Sequence, residues 1–142
     1  MPPAAEVHNM TLTVLFDASC AFCVRTAQWL SAQRAHVTLE LLPAQDEQAV
    51  ARFGMLPWLG QQLVVVADDG RVWAGSAAFV MCLWALVDTR ELAMQMASPG
   101  LAPLAERFFR FVSARRHRLA ALVSHAPCAE AACARPLSSA YR

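Results

Sequence analysis

Residues 11–23 read Thr11-Leu12-Thr13-Val14-Leu15-Phe16-Asp17-Ala18-Ser19-Cys20-Ala21-Phe22-Cys23. The first six are β-branched, aliphatic or aromatic, which is the composition of a buried strand. Asp17-Ala18-Ser19 reads as a turn, and either Ser19 or Asp17 could cap a following helix. From Cys20 to about Gln33, apolar side chains at Phe22 or Cys23, Ala27, Leu30 and Ala35 recur at helical spacing. A strand that feeds a helix therefore carries two cysteines, Cys20 and Cys23, at the junction.

Outward from this junction the pattern continues. Val37 to Leu42 predicts a second strand stopped by Pro43, and Ala44 to Phe53 a short helix with Gly54 placed to end it. Leu63 to Ala67 and Arg71-Val72-Trp73 flank Asp68-Asp69-Gly70, an Asp-Gly hairpin signal. Gly75-Ser76 opens a helix running to about Val87. Leu101 to Val123 predicts one last helix, with Leu101, Leu104, Phe108, Phe111, Val112, Leu119 and Leu122 on an apolar stripe and the arginines opposite. The order β-α-β-α-β-β-α-α makes a parallel first βαβ unit and an antiparallel hairpin. The expected fold is α/β and thioredoxin-like, a mixed four-stranded sheet flanked by helices with an extra C-terminal helix. Residues 1–9 read as a flexible arm, 10–123 as the domain and 124–142 as a Cys-containing tail.

A chain of 142 residues suits one domain with one core. An apolar fraction of 57% and a mean hydropathy of +0.35 exclude extensive disorder. All 12 basic residues are arginine. Residues 1–100 carry a net −4 and residues 101–142 a net +5. A basic segment can meet nucleic acid, anionic lipid or an acidic partner, but no nucleic-acid motif accompanies it, so a solvated helix face is the plainer reading. Met1 to Glu6 has neither a basic nor an apolar signal region, and the longest uncharged apolar stretch, Val72 to Val87, has 16 residues against the ~20 a span needs. The expected location is cytoplasmic, where five cysteines should be mostly thiols and a close pair is catalytic or metal-binding.

The spacing carries the chemistry. Residues three apart share a helix face with Cβ atoms about 5–6 Å apart, close to what a disulfide bridges. The first cysteine meets the exposed N–H groups and positive end of the helix dipole, which favour thiolate. Cys20 is thus expected to attack, and Cys23, a turn deeper and shielded, to resolve the mixed disulfide. Ala21-Phe22 supplies no His or Lys to activate Cys20 further, so a reducing or neutral centre is expected rather than a strong oxidant.

Val14 to Cys23 resembles the DxxCxxC signature of the DCC family of predicted thiol-disulfide oxidoreductases, with Asp17, Cys20 and Cys23 at its fixed positions. Val64 to Ala78 resembles the family's later hairpin and helix start, and Phe108 to Leu119 its Arg-rich aromatic helix. Together these cover roughly residues 11–120. Ala18 stands where such motifs usually carry Gly. The resemblance implies a thioredoxin-like fold and redox activity. The chain departs from the thioredoxin and glutaredoxin branches, which place a proline just before the third strand. Here Gln61-Gln62 precede Leu63 and the nearest proline is Pro57, so glutathione specificity does not follow.

Among other residues, Asp17 could relay the proton of Cys23 or organise the loop as an Asx turn. Arg25 could stabilise a thiolate or simply be solvated. Cys82, in an all-apolar helix, reads as a small core hydrophobe. Cys128 and Cys133 in the tail could be idle, form a second pair, or join Cys20 and Cys23, with His125, in a Zn or Fe–S site. His8, His36 and His117 show no ligand spacing. The enzyme reading thus stands beside two alternatives, a metal-binding module and a membrane-peripheral module using the basic helix. No cofactor is expected. The expected partners are a protein or small-molecule disulfide and an unidentified reductase or oxidant. The apolar segment Ala77 to Val87 needs cover on both sides, and the last helix is expected to supply it by burying Leu104, Phe108 and Phe111 with its arginines outward.

Overall fold

The computed structural model describes residues 10–54 and 62–123, with side chains to Leu119. The arm, Pro57 and the tail with His125, Cys128 and Cys133 lie outside the described residues. The elements are β1 (Thr11–Phe16), α1 (Ala21–Ala32), β2 (Thr38–Pro43), α2 (Glu47–Phe53), β3 (Val64–Ala67), β4 (Val72–Ala74), α3 (Ser76–Ala85), α4 (Arg90–Met96), α5 (Ala102–Ala114) and α6 (Arg116–Val123).

One four-stranded sheet has the order β2-β1-β3-β4. β1 runs parallel to β2 and antiparallel to β3, and β3 is antiparallel to β4. This is the mixed α/β sheet of the thioredoxin-like layout. The central strands are apolar because both their faces are covered. Leu12, Val14 and Phe16 of β1, with Val65 and Ala67 of β3, face α1 and α3. Leu15, Val64 and Val66 point the other way, toward Ala49 of α2. The strand period of two thus divides the core into two layers. Thr13, on the α2 side, is buried and hydrogen-bonded, donating to Glu40 Oε2 at 3.2 Å and accepting from Arg52 Nη2 at 3.4 Å.

Two helix ends follow sequence chemistry. Asp46 caps α2 by accepting from the Gln48 N–H at 2.9 Å, so this helix begins at Glu47 rather than Ala44. Gly54 closes it at φ 72°, a left-handed value that suits glycine.

The C-terminal part differs from expectation. α4 was not foreseen, yet it packs on α3, burying Ala93 and laying the Arg90 guanidinium 4.3 Å from the Trp84 ring centre. The predicted single helix 101–123 breaks at Arg115 into α5 and α6, because α6 turns to lie against α1. α5 does meet α3, but through Phe109, whose ring centre is 5.8 Å from that of Phe79. Leu104, Phe108 and Phe111 stay 63%, 60% and 55% exposed. The buried face is rotated by one residue, about 100° on a helix, from the expected stripe. No helix among the described residues is long and apolar enough to cross a membrane.

Candidate active site

The loop after β1 is fixed by its acidic residue. Asp17 is buried, and its Oδ1 accepts from the Ser19 N–H at 3.0 Å and the Ser19 hydroxyl at 2.6 Å, an Asx-type turn. Gln45, just after β2, donates to the same oxygen at 2.7 Å while its carbonyl accepts from the Ala18 N–H at 3.0 Å. The other oxygen, Oδ2, meets Arg116 Nη2 at 3.1 Å. Burial works to raise the Asp17 pKa, but the Ser19 and Gln45 hydrogen bonds and the Arg116 charge outweigh it and hold the carboxylate below its usual range.

Neither Asp17 nor Ser19 caps α1. Cys20 does so itself: its backbone is extended, and its Sγ accepts from the Cys23 N–H at 3.4 Å. No acidic residue stands in the first turn to oppose a charge on that sulfur. Cys20, Cys23 and Cys82 are free thiols. The hydrogen bond from the Cys23 thiol, aided by the Cys23 N–H and the charges of Arg116 and His117, overcomes burial and brings the Cys20 pKa down to about 6. Cys23 moves the other way, raised by its bond to the Cys20 sulfur, by burial and by the adjacent charge. A single proton shared by the two sulfurs accounts for both directions.

The burial order reverses the expectation. Cys20 is 1% exposed, whereas Cys23 is half-buried and faces a cavity. The cap geometry explains this, because accepting from the Cys23 N–H folds the Cys20 sulfur under the helix end.

Arg116 is the residue that sequence reasoning missed. It opens α6 with its side chain turned inward, Nη2 on Asp17 and Nη1 3.9 Å from Cys23 Sγ. The expectation that these arginines face outward fails here, since a buried carboxylate needs a cation. The one available signal was the surplus of arginine over acids after residue 100. Gln45 left no signal. Arg25, considered for this role, is exposed. Cys82 is buried in the core, its pKa pushed up to about 12 by desolvation. Among the described residues no group of three or more His, Cys, Asp or Glu could hold a metal.

The cavity beside Cys23 has a volume of about 750 Å³. It is walled by α1, α3 and α5 and reaches the ends of β1 and β4.

A family model described as DCC1-like thiol-disulfide oxidoreductase matches residues 14–122, spanning both cysteines and Arg116. No curated protein and no solved structure matches the chain.

Proposed function

This chain belongs to the DCC1-like thiol-disulfide oxidoreductase family, and from that premise we propose that Cys20 and Cys23 exchange electrons with a substrate disulfide through a mixed disulfide on Cys20. The observation that carries the proposal is the Cys20 sulfur at the N-terminus of α1, accepting from the Cys23 N–H one turn away.

The Cys20 thiolate attacks one substrate sulfur, forming a Cys20–substrate disulfide and releasing the other half as a thiolate. Cys23 then loses its proton, to the departing thiolate or to water, and attacks Cys20 Sγ. The second half leaves, and the protein holds a Cys20–Cys23 disulfide. Two electrons have passed from the dithiol to the substrate, and an external dithiol restores the pair. Arg116, 3.9 Å from Cys23 Sγ, favours the anion that this second step requires.

The greater exposure of Cys23 does not reverse these roles. Each unit by which a thiol's pKa exceeds ambient pH loses about tenfold in thiolate and regains only about threefold in nucleophilicity. Cys20, at about 6, is largely thiolate at neutral pH, whereas Cys23 is raised well above an ordinary thiol. Asp17 acts through Arg116 and the loop as a positioning residue.

The test is turnover of bis(2-hydroxyethyl) disulfide by the full chain. Cys20→Ser should abolish it, and Cys23→Ser should accumulate a mixed disulfide visible by mass spectrometry. Full activity in Cys20→Ser would overturn the assignment.

A second reading, membrane-peripheral attachment, draws on one observation. Leu101, Leu104, Phe108 and Phe111 form an exposed apolar row on a segment that also carries Arg107, Arg110 and Arg115. Flotation with vesicles containing anionic lipid tests it, since a protein that stays at the bottom of the gradient has no such attachment.

A further inference from the structure

We propose that the cavity beside Cys23 binds the apolar body of the disulfide substrate, so that the protein selects disulfides flanked by aromatic or aliphatic groups over glutathione disulfide. This rests on the redox reading above and assigns the substrate class that reading leaves open.

Three observations lead there. The first is size. About 750 Å³ lies within the ~300–1,000 Å³ typical of small-molecule pockets, and is ample for an aromatic ring with an aliphatic arm. The second is the wall. Phe22 and Trp29 from α1 face Phe108, Phe109 and Val112 from α5, with Phe79 from α3 beside them. Trp29 is 46% exposed, and Phe108 is mostly exposed too. Two large aromatic side chains held half in water at one cavity suit a transient apolar occupant.

The third is charge. The cavity wall holds four charged residues, Asp17, Glu106, Arg110 and Arg116. Arg116 pairs with Asp17 at 3.1 Å, and Arg110 with Glu106 at 3.5 Å across one helical turn. The two pairs leave no net charge to receive a carboxylate. Each half of glutathione disulfide carries two carboxylates and an ammonium, which would be desolvated there without partners. An uncharged ring loses nothing by entering. Cys23 and Arg116 line the same cavity as these rings, so an apolar group seated between α1 and α5 would carry its disulfide beside the reacting pair. The thiolate that leaves on attack is then released near the Arg116 guanidinium.

The experiment compares two uncharged disulfides whose leaving groups are both ordinary alkyl thiols, dibenzyl disulfide and bis(2-hydroxyethyl) disulfide, with glutathione disulfide as third substrate, so that leaving-group acidity does not set the preference. Trp29→Ala and Phe108→Ala are made separately, both at positions exposed enough to spare the core. The native protein should favour dibenzyl disulfide in kcat/KM by at least about tenfold over either other substrate, and each variant should reduce that preference by about tenfold. In parallel, 1,2-diphenylethane, which carries two phenyl rings and no sulfur, is titrated against the protein by tryptophan fluorescence. It should saturate with the native chain and bind at least about tenfold more weakly to Phe108→Ala. A preference near one, or a preference unchanged in both variants, overturns the cavity assignment while leaving the redox reading intact. If no disulfide turns over, the redox reading fails, and the diphenylethane titration alone decides the cavity, with absent binding overturning it.

Discussion

Arg116 Nη2 lies 3.1 Å from Asp17 Oδ2, so the start of α6 is tied to the loop that presents Cys20. The pair is well shielded, with the two side chains 19% and 6% exposed. It therefore differs from the exposed ion pairs of this protein, which contribute little. Arg116→Gln removes the cation, leaving Asp17 its Ser19 and Gln45 bonds. The expected loss of stability is about 2 kcal/mol, read by urea titration. The same variant should raise the Cys20 pKa, because the charge of Arg116 helps lower it. An unchanged thiol titration would show that Arg116 holds only the fold.

The Cys20 thiolate predicts its own pH signature. Alkylation by iodoacetamide, with labelled peptides followed by mass spectrometry, should titrate with a midpoint at about 6 and reach Cys20 before Cys23. A midpoint near 9 at Cys20, or first labelling at Cys23, would reverse the roles. The sign for stability follows. The folded pKa lies below the ordinary 9.0, so the thiolate's contribution is complete above pH 9 and is lost as pH falls to about 6. The stability of reduced native protein relative to Cys20→Ser should therefore rise with pH across that window.

A thiolate at about 6 also places the couple. A low pKa stabilises the reduced form and makes the disulfide a better oxidant. Thioredoxin, with a pKa of about 7, and DsbA, at about 3.5, bracket this value. The Cys20–Cys23 pair should have a potential between their ~−270 and ~−120 mV, measured against a glutathione redox buffer. The activation owes nothing to Ala21-Phe22 and comes instead from Cys23 and from distant Arg116.

Asp17→Asn separates the two roles the sequence left open. Ser19, Gln45 and Arg116 occupy both carboxylate oxygens, which favours an anchor over a proton relay. The variant should melt lower while the pH dependence of the resolving step keeps its shape. Loss of one ionisation from that profile would establish the relay.

The sheet and the cysteine pair were legible because their signals are local. Thr11 to Phe16 has the composition of a strand, Asp69-Gly70 that of a hairpin turn, and Cys20 to Cys23 the spacing of one helical turn. The rest depended on contacts between distant segments. Nothing around Arg116 distinguishes it from Arg115 or Arg118, and only the break after α5 turns it toward Asp17. Cys20 was expected to be open because a helix start is open, but here its sulfur is the cap.

The phase of α5 yields the last prediction. The apolar positions 101, 104, 108 and 111 form a regular stripe, so burial of Phe108 was the natural expectation. Two rows compete on this helix, however, and the other contains Ala105, Phe109 and Val112, all partly buried. Its inward choice is marked by Phe109 against Phe79, with the Arg116–Asp17 pair following at the start of α6, beyond the helix break. Removing the Phe109 ring should cost about 2 kcal/mol, less than a fully buried phenylalanine, and lower the melting temperature by about 8 °C. Phe108→Asp places a charge on an exposed position and should change stability by about 0.5 kcal/mol or less. Thermal unfolding of Phe109→Ala and Phe108→Asp side by side checks the phase. A large loss in Phe108→Asp with little in Phe109→Ala would mean that the helix packs by its other stripe.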